Sequence, residues 1–97
     1  MKEIYFGNFR LIILEEIRLI QAQQPESHSV EWFLLRYLKR IEQYTNPPST
    51  PGKVDNSIRA LVRFYVDMID EDSELGERCR FIYDQYRKTL REDPSRE

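Results

Sequence analysis

The sequence predicts an all-α fold, a compact bundle of three to four amphipathic helices with a proline-rich crossover loop. Apolar residues recur at the helical spacing i, i+3, i+4 and i+7 in the long segments. Glycine is scarce, at three residues, and three of the five prolines fall within one short stretch. At 97 residues the chain has the length of one domain. We expect this domain to span residues 1–91 and residues 92–97 to form a flexible tail.

The first predicted helix runs from Asn8, which can serve as its N-cap, to Gln23, and Pro25 ends it. Leu11 and Leu14 fall outside its main apolar face. The helix is therefore apolar on several sides and needs more than one neighbour to bury it. Its main face consists of Phe9, Ile12, Ile13, Ile17, Leu19 and Ile20.

The second predicted helix runs from Ser29 to Tyr44, with Ser29 as its N-cap. The segment from residue 45 to residue 56 follows as a loop, because three prolines and a glycine within six residues cannot continue a helix. The loop is long enough to connect two helical pairs. The apolar face of the second helix fits the helical template without a miss and consists of Val30, Phe33, Leu34, Tyr37, Leu38, Ile41 and Tyr44.

The third predicted helix begins at Asn56 or Ser57 and ends at Ile69. Its inward residues are Ile58, Leu61, Val62, Tyr65 and Ile69.

The acidic segment of residues 70–73 predicts a break, because acidic side chains disfavour a helix C-terminus and favour the next N-terminus. The fourth predicted helix then runs from Ser73 to Arg91, although a continuous helix through Gly76 is an alternative. Its inward residues are Leu75, Cys79, Ile82, Tyr83, Tyr86 and Leu90.

The composition excludes several classes of protein. The 15 basic and 17 acidic residues give a net charge of -2, so no overall field favours nucleic acid or a membrane surface. Cys79 is the only cysteine, which excludes an intrachain disulfide and is typical of the cytoplasm. No apolar stretch approaches the roughly 18 residues of a membrane span. We therefore expect a cytoplasmic protein with no membrane partner.

The sequence contains few candidate catalytic residues. His28 is the sole histidine and lies in a polar turn, which excludes a multi-histidine metal site within one chain. Cys79 falls on the apolar face of the fourth helix, where a core residue is favoured over a nucleophile. We expect no enzymatic activity, no cofactor and no metal.

The proline loop contains one binding motif. Residues 48–51 satisfy PxxP, a pattern that can adopt polyproline II and dock in aromatic grooves. The pattern is permissive, so a plain crossover loop is favoured over a ligand.

Carboxylates supply the one route to an enzyme. Glu16 falls inside the apolar face of the first helix, where a buried carboxylate must be paired or protonated, unless it lies at a seam between two faces. The acidic residues near the predicted break offer carboxylates for a hard cation or a basic partner, although they lack the ligand spacing of an EF-hand and a solvated corner between helices is favoured. With Glu16 they define the third hypothesis, a metal-dependent bundle enzyme. We call these residues the acidic corner: Asp67, Asp70, Glu71, Asp72, Glu74 and Glu77.

Two predicted surfaces favour binding. Trp32 and Leu35 project nearly opposite the apolar face of the second helix, with Lys39 on the same side. An exposed tryptophan is typical of a protein interface, although an arm or another helix could cover it. We call these three residues the Trp32 surface. On the fourth helix a basic stripe, suited to phosphates or to a solvated face, consists of Arg80, Arg87, Lys88 and Arg91.

The sequence therefore favours a small, non-enzymatic interaction or regulatory module that docks a protein partner through the Trp32 surface. Self-association is the simplest form of this hypothesis, because the first helix has more apolar surface than one neighbour can bury. The alternative is a nucleic-acid-associated regulator that contacts phosphates through the basic stripe.

Overall fold

The computed structural model describes residues 6–92; for residue 92 it describes the backbone only. All regular secondary structure in this part of the chain is helical, which confirms the predicted all-α bundle. The helices are α1 (Gly7–Ala22), α2 (Val30–Thr45), α3 (Pro51–Met68) and α4 (Glu74–Glu92). Of the predicted tail, residue 92 is the last residue of α4, and residues 93–97 lie outside the described residues.

The four helices pack in a closed ring, in which α1 contacts α2, α2 contacts α3, α3 contacts α4 and α4 contacts α1. Short loops join successive helices, so neighbours run antiparallel. The contacts between α1 and α4 confirm this direction, because the Phe9 ring lies 5.6 Å from the Tyr86 ring, whereas Glu16 pairs with Arg78. Residue numbers therefore rise along one helix as they fall along the other.

Every helix contributes to a single apolar core. Burial of each large side chain stabilises the fold by about 1.5–3 kcal/mol, so the core is the main source of stability. The largest fully buried side chains are Phe9, Ile13, Ile20, Leu34, Leu38, Ile41, Ile58, Ile82 and Val54.

The start of α1 differs from the prediction. The helix begins at Gly7, and Phe6 rather than Asn8 occupies the N-cap position, with no capping side chain. Phe6 and Phe9 are both buried, and the Phe6 carbonyl accepts a hydrogen bond from the Arg10 N–H. Burial of two aromatic rings therefore fixes the first turn in place of a polar cap.

The start of α2 confirms the prediction. Ser29 is the N-cap, and its hydroxyl accepts a hydrogen bond from the Trp32 N–H at 3.2 Å. The cap satisfies one of the free N–H groups of the first turn.

The start of α3 corrects the predicted loop. The helix begins at Pro51, five or six residues before the predicted start, and Val54 on the added turn is fully buried. Proline is favoured at the first helical position, because its fixed φ suits a helix and its missing N–H would be unpaired there. The loop therefore shrinks to residues 46–50. The last proline of the PxxP pattern therefore belongs to a helix.

The predicted break after α3 is confirmed. The chain leaves the helix at Ile69, and Ser73 caps α4 by accepting a hydrogen bond from the Gly76 N–H at 3.0 Å. Gly76 lies directly against this turn, where a Cβ atom would meet the backbone of Asp70 and approach the Glu71 Cα to 3.0 Å. The continuous helix through Gly76 is therefore excluded.

Candidate partner-binding groove

Two ion pairs hold α1 against its neighbours. Arg10 on α1 pairs with Glu42 on α2. Arg78 on α4 donates to Glu16 on α1, with Nε 2.9 Å and Nη2 2.5 Å from the same carboxylate oxygen. The Glu16 and Arg78 side chains are only 12% and 20% exposed. The carboxylate within the apolar face is thus paired, and its charge is directed at a guanidinium.

The acidic corner lies on the surface. All six of its residues are exposed, and one Asp70 carboxylate oxygen accepts a hydrogen bond from the Asp72 N–H within the turn. Among the residues that the structure describes, no group of three or more histidine, cysteine, aspartate and glutamate side chains is arranged to hold a metal ion. Asp70, one of the six, therefore stabilises the turn between α3 and α4.

An apolar groove lies between α3 and α4, with a volume of about 220 Å³. Ile58, Leu61 and Cys79 are its buried residues, whereas Tyr83, which is 38% exposed, lies at the surface together with the charged residues of α4. We call this feature the α3/α4 groove. Arg80 and Asp84 form its polar edge on α4. Its apolar lining consists of Ile58, Leu61, Val62, Tyr65, Cys79 and Tyr83.

The Cys79 thiol is part of the apolar lining. Burial, together with the nearby Glu16 carboxylate, raises the pKa of Cys79 to about 11. The thiol is therefore protonated at neutral pH, and only the thiolate is a strong nucleophile or metal ligand. Cys79 contributes apolar surface to the groove.

A hydrogen bond closes one end of the groove. The Tyr86 hydroxyl on α4 donates to an Asp55 carboxylate oxygen on α3 at 2.8 Å. Because the two helices run antiparallel, this pair lies about one turn beyond Ile58 and Tyr83. Burial and the hydrogen bond to Asp55 raise the pKa of Tyr86, which keeps the phenol protonated and able to donate.

Part of the basic stripe borders the groove. Arg80 lines it, and the Arg87 guanidinium lies 5.8 Å from the centre of the Tyr83 ring. Lys88 and Arg91 are exposed farther along the helix. The structure therefore places the stripe on the surface, with Arg80 lining the groove and Arg87 beside the lining Tyr83, whereas its role in phosphate binding stays a prediction.

The Trp32 surface is less open than the helical projection predicts. The Trp32 ring is half-buried between the His28 ring, 4.7 Å away, and the Arg36 guanidinium, 5.1 Å away. Leu35 packs partly against the core, and Lys39 is exposed. The helical period predicts the direction of a side chain but not the neighbours that reach over it. The partner-binding role of these residues stays a prediction.

The sequence predicts every apolar side chain of the groove on the inward face of its helix, and the structure confirms this for all of them except Tyr83, which is 38% exposed. The period alone does not indicate a groove, because it fixes the face and not the distance between two helices. The one available signal is the composition of the α4 edge, where Arg80, Tyr83 and Arg87 adjoin an apolar face.

The fold and this site together define a four-helix bundle with an apolar surface groove. No protein-family model, no curated protein and no solved structure matches the chain. None of the described helices is both long and apolar enough to cross a membrane.

Proposed function

We propose that this protein is a small, non-enzymatic interaction module that binds a helical segment of a partner protein in the α3/α4 groove. The observation that supports the proposal is the groove itself, which has a volume of about 220 Å³, a mainly apolar lining and an exposed aromatic residue, Tyr83, at its edge. A helix that lays its apolar face into such a groove is a common mode of peptide recognition. We place the protein in the cytoplasm, in keeping with its single, buried cysteine.

The size of the groove favours side chains of a partner over a small molecule. Pockets that bury a drug-sized ligand have volumes of roughly 300–1,000 Å³, which exceeds the volume found here. A groove between two helices instead accepts anchor residues at helical spacing from a third helix. Tyr83 supplies an aromatic ring at the edge, and tyrosine is enriched among the residues that dominate binding energy.

The proposal is tested by selecting peptides against the intact protein. A phage-displayed library of helical peptides with apolar residues at i, i+3, i+4 and i+7 is selected on the wild type. The affinities of the selected peptides are then compared for Tyr83→Ala and Phe81→Ala. These residues are matched, because both are exposed aromatic side chains on α4, at 38% and 50%, and only Tyr83 lines the groove. We expect Tyr83→Ala to weaken binding about tenfold or more and Phe81→Ala to leave it unchanged.

A third variant, Trp32→Ala, distinguishes the groove from the Trp32 surface. Selected peptides that lose affinity with Trp32→Ala and keep it with Tyr83→Ala would move the docking site to α2. The proposed function would be contradicted if no peptide of the library bound this protein more tightly than it bound an unrelated helical bundle.

A further inference from the structure

We infer that the helix bound by the α3/α4 groove is acidic, with glutamate or aspartate beside its apolar face. This inference names the chemistry of the partner and rests on the proposed docking function. It is carried by the charges that border the groove.

The α4 edge of the groove carries unbalanced positive charge. Arg80 and Arg87 are both exposed there, and neither forms an ion pair with another described residue. Asp84 is the only acidic residue between them on this helix. Arg80 and Asp84, which both line the groove, offset each other, so the net positive charge of this edge is that of Arg87, which lies beside the lining Tyr83.

The α3 edge does not offset this charge. Arg59 donates to Asp55 at 2.8 Å, so the two charges neutralise each other. The second Asp55 oxygen accepts the hydrogen bond from Tyr86. The carboxylate is thus engaged on both oxygens, and the remaining charge at the groove is that of α4.

Arginine suits this role through its geometry. A guanidinium binds a carboxylate through two parallel hydrogen bonds, which fixes the orientation of the partner as well as attracting it. The Arg87 guanidinium lies 5.8 Å from the centre of the Tyr83 ring and so lies beside the groove. An acidic side chain one turn from an apolar anchor would reach these arginines while the anchor fills the groove.

The same arginines suit a nucleic acid less well. Phosphates gain nothing from an apolar channel, and Asp84 lies between the two arginines. The combination of an apolar channel and a basic edge fits an amphipathic acidic helix.

The inference is tested with two synthetic helical peptides that share one leucine face and differ only in the flanking residues, glutamate in one and lysine in the other. Fluorescence anisotropy measures their affinity for the wild type at low and at high salt. At low salt we expect the acidic peptide to bind at least about tenfold more tightly than the basic peptide, because opposite charges attract across a partly desolvated contact. The difference should shrink at high salt as the charges are screened.

Two double variants show which arginines cause the preference for the acidic peptide. Arg80→Gln/Arg87→Gln should abolish most of the preference for the acidic peptide. The control is Arg40→Gln/Arg63→Gln, which removes the same charge from exposed positions that do not line the α3/α4 groove, and the preference should persist. Circular dichroism establishes that each variant is folded.

The other outcomes separate this inference from the proposed function. Equal affinity for both peptides, lost with Tyr83→Ala, would overturn the acidic partner and leave the docking groove standing. Binding of neither peptide would count against both. A DNA duplex that binds through Arg80 and Arg87 while the acidic peptide does not would overturn the inference in favour of a nucleic acid.

Discussion

The pairing of Glu16 with Arg78 shows how a charged residue fits within an apolar helix face. The two helices run antiparallel, so a residue in the middle of α1 faces one in the first turns of α4, and both side chains are largely buried. The sequence predicts that Glu16 needs a partner or a proton, but not which residue supplies it. The partner lies 62 positions away along the chain, beyond the reach of a local pattern.

Removal of Arg78 should destabilise the fold because it leaves the Glu16 carboxylate buried without its counter-charge. We expect Arg78→Leu to lower the free energy of unfolding by about 2–3 kcal/mol. The control is Arg18→Leu, which breaks the exposed pair of Arg18 with Glu15 and should cost much less, because solvent screens an exposed ion pair. Urea denaturation measures the free energy of unfolding of both variants. Equal losses would contradict the prediction that the buried pair of Glu16 and Arg78 stabilises the fold more than an exposed pair.

The buried Cys79 thiol should make the fold sensitive to alkaline pH. Its pKa rises from an ordinary 9.0 to about 11 in the folded state. Between these values the unfolded chain loses the proton first, so stability falls as pH rises, by about 2–3 kcal/mol across the window. At neutral pH, well below both pKa values, the thiol is protonated in both states and contributes no pH dependence.

The measurement for this prediction is urea denaturation at neutral pH and near the folded pKa. Cys79→Ala should lose less stability on the alkaline side than the wild type. Tyr86, whose pKa is also raised, remains in both proteins and so cancels in the comparison. Identical alkaline losses would assign the effect to groups other than Cys79.

At the scale of the helices, α2 was the most predictable and the start of α3 the least. The α2 pattern combines a clear apolar face with a serine cap, and the structure has both. Three prolines predict a loop, yet Pro51 begins a helix, because the rule against proline applies to helix interiors and not to the first position. Burial of Val54 in the core then extends α3 over residues that look like a linker.

Alanine substitutions at two helical glycines distinguish the effect of helix propensity on stability from the effect of packing. Gly76→Ala should destabilise the protein by about 1–3 kcal/mol, because the new Cβ would clash with the backbone of residues 70 and 71. Gly52→Ala, also within a helix, has no atom within 4 Å of the new Cβ and should stabilise by up to about 1 kcal/mol. Thermal denaturation measures both. If Gly76→Ala also stabilises, the close approach of the turn to α4 is wrong.

At the scale of the whole molecule, the apolar residues of the sequence predict the bundle, whereas the groove depends on the separation of α3 and α4. Leu11 on α1, predicted outside the main apolar face, is 64% exposed. The prediction for Leu19 is wrong, because this residue of the main face is also exposed, at 36%. The predicted surplus of apolar surface on the first helix is thus present on a face distinct from the groove. Self-association stays a prediction, and light scattering of the intact protein measures it.

The most direct test of the docking groove is an NMR titration of the intact, isotope-labelled protein with the acidic peptide. We predict saturable shifts of the backbone amides of Val62, Tyr65, Arg80 and Tyr83, which lie along the two helices of the groove. The indole N–H of Trp32 should not shift. Saturable shifts centred on Trp32 and Lys39, with the groove amides unchanged, would contradict the α3/α4 groove as the site of binding.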